Sequence, residues 1–144
     1  MQALDCPLVV CSNTSPLALP ETQRAAEQLR VLAERAARRG LRIGLEALAW
    51  GRHVNKWRQA WDIVQRANHP YLGLFVDSFH TASLGDSPEG IAEVGAKLFF
   101  VQMADAPLMG LNVIDWAWHH HNFPGQGQFD VVGFFEQCMR AGYR

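Results

Sequence analysis

The sequence has too few cysteines for a disulfide framework. Cys6, Cys11 and Cys138 are an odd count with no metal-type spacing. They read as packing cysteines of a reduced, cytosolic protein. No excess of one charge is present either. The formal net charge is −1 and the pI about 6.6, which leaves no electrostatic footprint for nucleic acid or an anionic membrane. No apolar run is long enough to span a bilayer, and Met1–Val10 lacks the basic start and long apolar stretch of a secretory signal. Low-complexity tracts and polar linkers are also lacking, so residues 1–144 read as one domain. The composition is ordinary for a globular chain, with 49% hydrophobic and 19% charged residues. At 144 residues the chain is long enough for a real core.

Against that plain background, three apolar runs each end on a residue that can bind a hard metal ion. They are Leu41–Glu46 (LRIGLE), Tyr71–Asp77 (YLGLFVD) and Lys97–Gln102 (KLFFVQ). In a parallel sheet every strand points the same way, so Glu46, Asp77 and Gln102 would emerge at one rim. Two carboxylates and an amide oxygen there make an oxygen-rich site for Mg²⁺, Mn²⁺ or Co²⁺. A single such residue is better explained as a helix cap, or as a partner of Arg52 or Lys97. Three in succession require three coincidences, and a buried carboxylate with no partner is costly.

The rest of the chain supplies the parallel sheet. Leu8–Ser12 is a short β-branched run. Leu29, Leu32, Ala33 and Ala36 share one helical face, and Gly40 stops that helix. Asn55 is placed to cap a helix running to Ala67, ended by Asn68-His69-Pro70. Pro88–Val94 suggests a short helix, residues 105–128 a long loop or lid, and Phe129–Arg140 an amphipathic helix with Gly142 in the stop position. Strands alternating with helices imply parallel strands and right-handed crossovers. The fold class is α/β, either a small open sheet or part of a (β/α)₈ TIM barrel, whose active site also lies at the C-terminal strand ends. The chain opens just before a strand and closes just after a helix, which favours a partial barrel of about four βα units, with further strands expected on both sides.

The segments GLEALAWGRHVN, LGLFVDSFHT, FFVQMADAP and NFPGQGQFD resemble the xylose-isomerase-like TIM barrels of the sugar phosphate isomerase/epimerase type. Within that superfamily they are most similar to the bacterial 3-dehydroshikimate dehydratases. The resemblance runs from about Leu8 to Tyr143. It implies Glu46, Asp77 and Gln102 as three ligands of one divalent metal. It also implies a fourth, a Glu on a strand beyond Arg144. The family's D-x-x-H motif falls on Asp77 and His80, which makes His80 the expected substrate contact or acid/base group. An imidazole titrates near neutral pH, as proton transfer needs.

Four further residues are candidates for the substrate. Arg52 follows the Glu46 strand and either grips a substrate carboxylate or is a solvated loop residue; His53 is its neighbour. Asn13 ends the first strand and either bonds a hydroxyl or shapes a turn. Asp105 is either a support behind the site or a helix cap. His119-His120-His121 cannot easily all face one ion, so at most one is expected to point inward. The glycines of Pro124-Gly125-Gln126-Gly127 allow close backbone approach to a ligand; relatives often carry Glu at the Gln126 position.

The implied reaction is dehydration of 3-dehydroshikimate to protocatechuate, with a small-molecule substrate and neither nucleic acid nor membrane as partner. An isomerase or epimerase using the same enolate chemistry is the enzyme alternative. A non-catalytic truncated barrel that binds metal or self-associates is the other. Two half barrels could cover each other's open edges as a homo-oligomer.

Overall fold

The computed structural model describes residues 5–12 and 21–144. Asn13 lies outside the described residues, so the expectation placed on it has no structural counterpart.

Four strands form one parallel sheet: β1 (Leu8–Ser12), β2 (Arg42–Glu46), β3 (Leu72–Asp77) and β4 (Leu98–Gln102). Their spatial order is β1-β2-β3-β4, the order of the chain. A doubly wound open sheet reverses its order at a switch point, whereas a barrel adds each strand beside the last. The observed order is that of a barrel arc.

Strand alternation divides the sheet into two faces. Ile43, Leu45, Leu72, Leu74, Val76, Leu98 and Val101 belong to the main apolar core, with half-buried Cys11 packed against it. They meet helices α1 (Thr22–Ala37) and α2 (Trp57–Ala67), which bring Ala26, Ala33, Ala60, Ile63 and Val64 to the same core. The opposite face carries Val10, Gly44, Glu46, Phe75, Asp77, Phe100 and Gln102 in register. The Phe75 and Phe100 rings stack there at 4.8 Å. Gly73 is required on this face: an added Cβ would stand 2.5 Å from the Lys97 carbonyl oxygen and 2.6 Å from the Phe99 ring.

Some local details differ from the expectations. Leu32 was expected on the buried face of α1 but is exposed; alanines at 26, 33 and 36 make the close contact instead. Asn55 does not cap α2. The Gln59 side chain folds back and accepts from the Asn55 and Lys56 N–H groups at 2.9 and 3.0 Å. Ile91–Lys97 is a 3₁₀ segment broken at Gly95, whose φ is 58°. A short helix α3 (Ser78–Ala82) follows β3 directly.

The 105–128 segment is not an irregular lid. It contains helix α4 (Val113–His119), capped by the Asn112 side chain, which accepts from Ile114 N–H at 2.9 Å. Trp116 and Ala117 from α4 join Phe79, Ala104 and Ala106 in a second small core, with Trp50 and Phe129 packed against it. The Trp116 indole N–H donates to the Pro107 carbonyl at 3.0 Å. The last helix, α5 (Val131–Arg140), is capped by Asp130, which accepts from Gly133 N–H at 2.9 Å.

Candidate metal centre

Parallel pairing sets Glu46 opposite Phe75 and Asp77 opposite Gln102, so the three polar residues share one face at the C-terminal strand ends. Among the described residues, Glu46, Asp77 and His80 bring one potential ligand atom each within 4.8 Å of one another, and all three are buried. Gln102 stands beside Asp77 in register but is exposed, on the wall of an adjoining cleft of about 430 Å³. Lys97 is no partner for the carboxylates. It lies at the other end of the sheet, donating to the His69 and Leu72 carbonyls at 2.5 and 3.0 Å.

Asp77 has two tasks. Its Oδ1 caps α3 by accepting from Phe79 N–H at 2.6 Å. That bond turns the first helical residues after the strand toward the rim, which delivers His80 to the carboxylates. Its Oδ2 is buried with no hydrogen-bond partner; His121 Nε2 lies 3.4 Å from it. Next to it, Ser78 ties β3 to the end of β4. Its hydroxyl donates to the Ala104 carbonyl at 2.6 Å and accepts from Ala104 N–H at 2.7 Å.

The electrostatics are those of an uncompensated carboxylate pair. Burial and the Asp77 charge push Glu46 up to about 7, opposed in part by His121. His80 is held below the usual imidazole range, chiefly by burial, with Asp77 acting the other way. Its Nε2 is 3.9 Å from Glu46 Oε1, and its Nδ1 is buried without a partner. Trp50 and Phe79 fix the ring edge-on, at centroid distances of 4.9 and 5.6 Å.

Asp105 corrects an expectation. Its pattern groups it with the substrate candidates, as a support behind the site or a helix cap; it is 1% exposed and both its oxygens are taken by backbone, which leaves no oxygen for a substrate and caps no helix. Oδ1 accepts from Ala106 and Phe129 N–H at 2.8 and 3.0 Å, and Oδ2 from Gly125 and Gly127 N–H at 3.0 and 2.9 Å. Burial alone would raise its pKa; the four donors outweigh that and hold the carboxyl below its ordinary value. Gly127 does provide a close approach, but to the Asp105 carboxylate and the Ala106 backbone rather than to a ligand.

Arg52 is exposed and makes no ion pair among the described residues. His53 is half-buried, and its Nε2 is buried without a partner. Neither is brought into the cluster. His121 and Trp50 are the neighbours that sequence reasoning did not single out. The expectation of one inward histidine in the run was general, and nothing local distinguishes His121 from His119 or His120.

A metal-capable cluster at the C-terminal ends of successive parallel strands defines a class, and the class is matched across the whole chain. The family model for xylose isomerase-like TIM barrels covers residues 1–144, and the chain belongs to that family. It is 58% identical over 146 aligned residues to a 3-dehydroshikimate dehydratase of Pseudomonas aeruginosa, which covers 100% of the chain and 23% of the relative. The chain therefore spans about a quarter of that relative's length. Among solved structures it superposes on a xylose isomerase-like TIM barrel/4-hydroxyphenylpyruvate dioxygenase fusion protein with a TM-score of 0.97 and 48% identity, over 100% of this chain and 24% of that one. It also matches the IOLI protein with a bound zinc atom, with a TM-score of 0.82 and 25% identity, over 95% of this chain and 51% of that one.

Proposed function

We propose that the chain forms the metal-binding part of a dehydratase (a lyase) that converts 3-dehydroshikimate to protocatechuate. The observation that carries this reading is the convergence of Glu46, Asp77 and His80. The relative's name supplies the substrate.

The residues fit a divalent cation. Asp77 Oδ2 is buried and unpartnered, and Glu46 is pushed up by burial and, after that, by the Asp77 charge; a cation between them would offset both. Carboxylate, carboxylate and amide oxygens, with an imidazole at hand, suit Mg²⁺, Mn²⁺, Co²⁺ or Zn²⁺. The zinc atom in the IOLI protein supports the same kind of site. Glu46, Asp77 and Gln102 would hold the ion. When bound, it polarises a ketone and supports the charge left when the neighbouring proton departs.

The chain's own groups do the rest. His80, whose pKa burial lowers, accepts the proton from the carbon next to the ketone. The hydroxyl on the following carbon leaves, and with that proton makes one water. Tautomerisation of the ring then yields the aromatic catechol acid. Trp50 and Phe79 keep the imidazole from turning away. Four strands are half of the eight that close a barrel, so the assay belongs to the chain together with the strands that complete it.

The test is turnover of 3-dehydroshikimate with Mn²⁺ or Mg²⁺, followed by absorbance of the aromatic product. His80→Ala is expected to lower kcat by about 10²-fold or more with little change in Mn²⁺ affinity. Loss of Mn²⁺ binding in that variant would make His80 a ligand instead. No aromatic product from the unaltered enzyme would remove the dehydratase reading.

A further inference from the structure

We propose that His121 is a positioning residue for Asp77: its Nε2–H holds the free carboxylate oxygen in the orientation needed to ligate the cation. This rests on the reading of Asp77 as a ligand. The argument is geometric. Asp77 is fixed at Oδ1 by Phe79 N–H, which sets one oxygen but leaves the carboxylate plane free to turn about that bond. Oδ2 is buried with no hydrogen-bond partner, and His121 Nε2 lies 3.4 Å away, closer than the 3.9 Å that separates His80 Nε2 from Glu46 Oε1. Closing that gap by a few tenths of an ångström makes a charge-assisted hydrogen bond.

His121 is held where it can do this. Its ring stacks on Phe79 at 4.7 Å, with 29° between planes, and Phe79 is fully buried. Its chain neighbour Asn122 forms an antiparallel bridge with Asp105: Asp105 N–H donates to the Asn122 carbonyl at 3.0 Å, and Asn122 N–H to the Asp105 carbonyl at 2.8 Å. The Asp105 carboxylate then gathers the following loop through Gly125, Gly127 and Phe129. The buried Asp105 thus has a purpose at one remove: it anchors the segment that presents His121. The side chain is 25% exposed and also lines the cleft beside Gln102 and Gln126.

The test is isothermal titration with Mn²⁺ alone, in the enzyme with its barrel complete, for the unaltered protein and three variants. His121→Ala is expected to weaken Mn²⁺ binding about tenfold, the range for groups that orient a metal ligand. His121→Gln keeps an N–H donor near the Nε2 position and is expected to recover most of that loss. His119→Ala, in the same run but at the end of α4 and in no ion pair with Asp77, is expected to bind as the unaltered protein does. Far-UV circular dichroism checks that all three remain folded. Unaltered affinity in His121→Ala would overturn the proposal. So would a His121→Gln variant as weak as the alanine, which would point to ring stacking rather than hydrogen bonding. Absence of Mn²⁺ binding in the unaltered protein would overturn the ligand reading itself, a separate and recognisable outcome. Because the readout is binding, a wrong substrate assignment leaves the result intact.

Discussion

Replacing Asp105 by Asn tests the anchoring argument with almost no change in volume. The aspartate is 1% exposed and each oxygen accepts two backbone N–H groups at 2.8–3.0 Å. In the asparagine one acceptor becomes a donor, so two buried N–H groups face an NH₂ and lose their partner. Each orphaned buried donor costs about 1–3 kcal/mol, so a loss of about 4 kcal/mol is expected. For a chain of this size that lowers Tm by roughly 10 °C. The pH dependence gives a second check. The folded carboxyl lies below its ordinary value, so its contribution is complete above the unfolded pKa and disappears as pH falls through the folded one. The gap between unaltered and Asp105→Asn protein, measured by thermal melts, should therefore be widest near neutrality and shrink below about pH 4. Equal melting points at pH 7, or a gap that stays constant into acid, would refute the account.

Other perturbations read the site and the sheet separately. Asp77→Asn should weaken Mn²⁺ binding by about 10²-fold or more while also loosening the α3 cap; titration calorimetry gives the first and amide exchange at Phe79 the second. With Glu46 raised to about 7, protons compete for the site, so apparent Mn²⁺ affinity should fall about tenfold per pH unit below that value. Without metal the sign reverses for stability. Glu46 favours the folded state when protonated, so metal-free protein should lose up to about 3 kcal/mol as pH rises from 4.5 to about 7, visible as a falling urea midpoint. Gly73→Ala drives a Cβ against the Lys97 carbonyl and the Phe99 ring and should cost about 2–3 kcal/mol in urea unfolding.

The sequence made the strand ends readable because a parallel sheet converts chain position into spatial position. An apolar run broken by Glu46, Asp77 or Gln102 states both the strand and the rim at which its last side chain emerges. His80 was readable for a similar reason, since its offset from Asp77 is local. The lid segment was not. Pro107, Gly110 and Pro124 resemble loop punctuation, and helix α4 survives between them only because Trp116 and Ala117 find a small core made by Phe79 and Ala104. His121 was hidden within its run for the same cause. Which of three adjacent histidines turns inward depends on a bridge between Asn122 and Asp105, some seventeen residues apart, and no local pattern records it. Asp105 was legible only in outline: a carboxylate just past a strand end suggests a support behind the site, and only the four amides around it reveal how it supports.

The two kinds of buried carboxylate in this protein make the functional argument sharper than either alone. Asp105 shows what the fold does when it needs a buried negative charge for architecture: it surrounds the charge with donors and lowers the pKa. At Glu46 and Asp77 the same fold does the reverse. It places two carboxylates on neighbouring strands, supplies one backbone donor to Asp77, leaves Oδ2 unpartnered and lets burial and the Asp77 charge raise Glu46 to about 7. A structural role would be served better by the Asp105 arrangement, and leaving a charge short of partners destabilises the chain. The deficit is the observation that supports the proposed ligand role. A divalent cation would supply what the donors withhold, so metal-loaded protein should melt well above metal-free protein at pH 7, by a margin that grows with Mn²⁺ concentration and vanishes in Asp77→Asn.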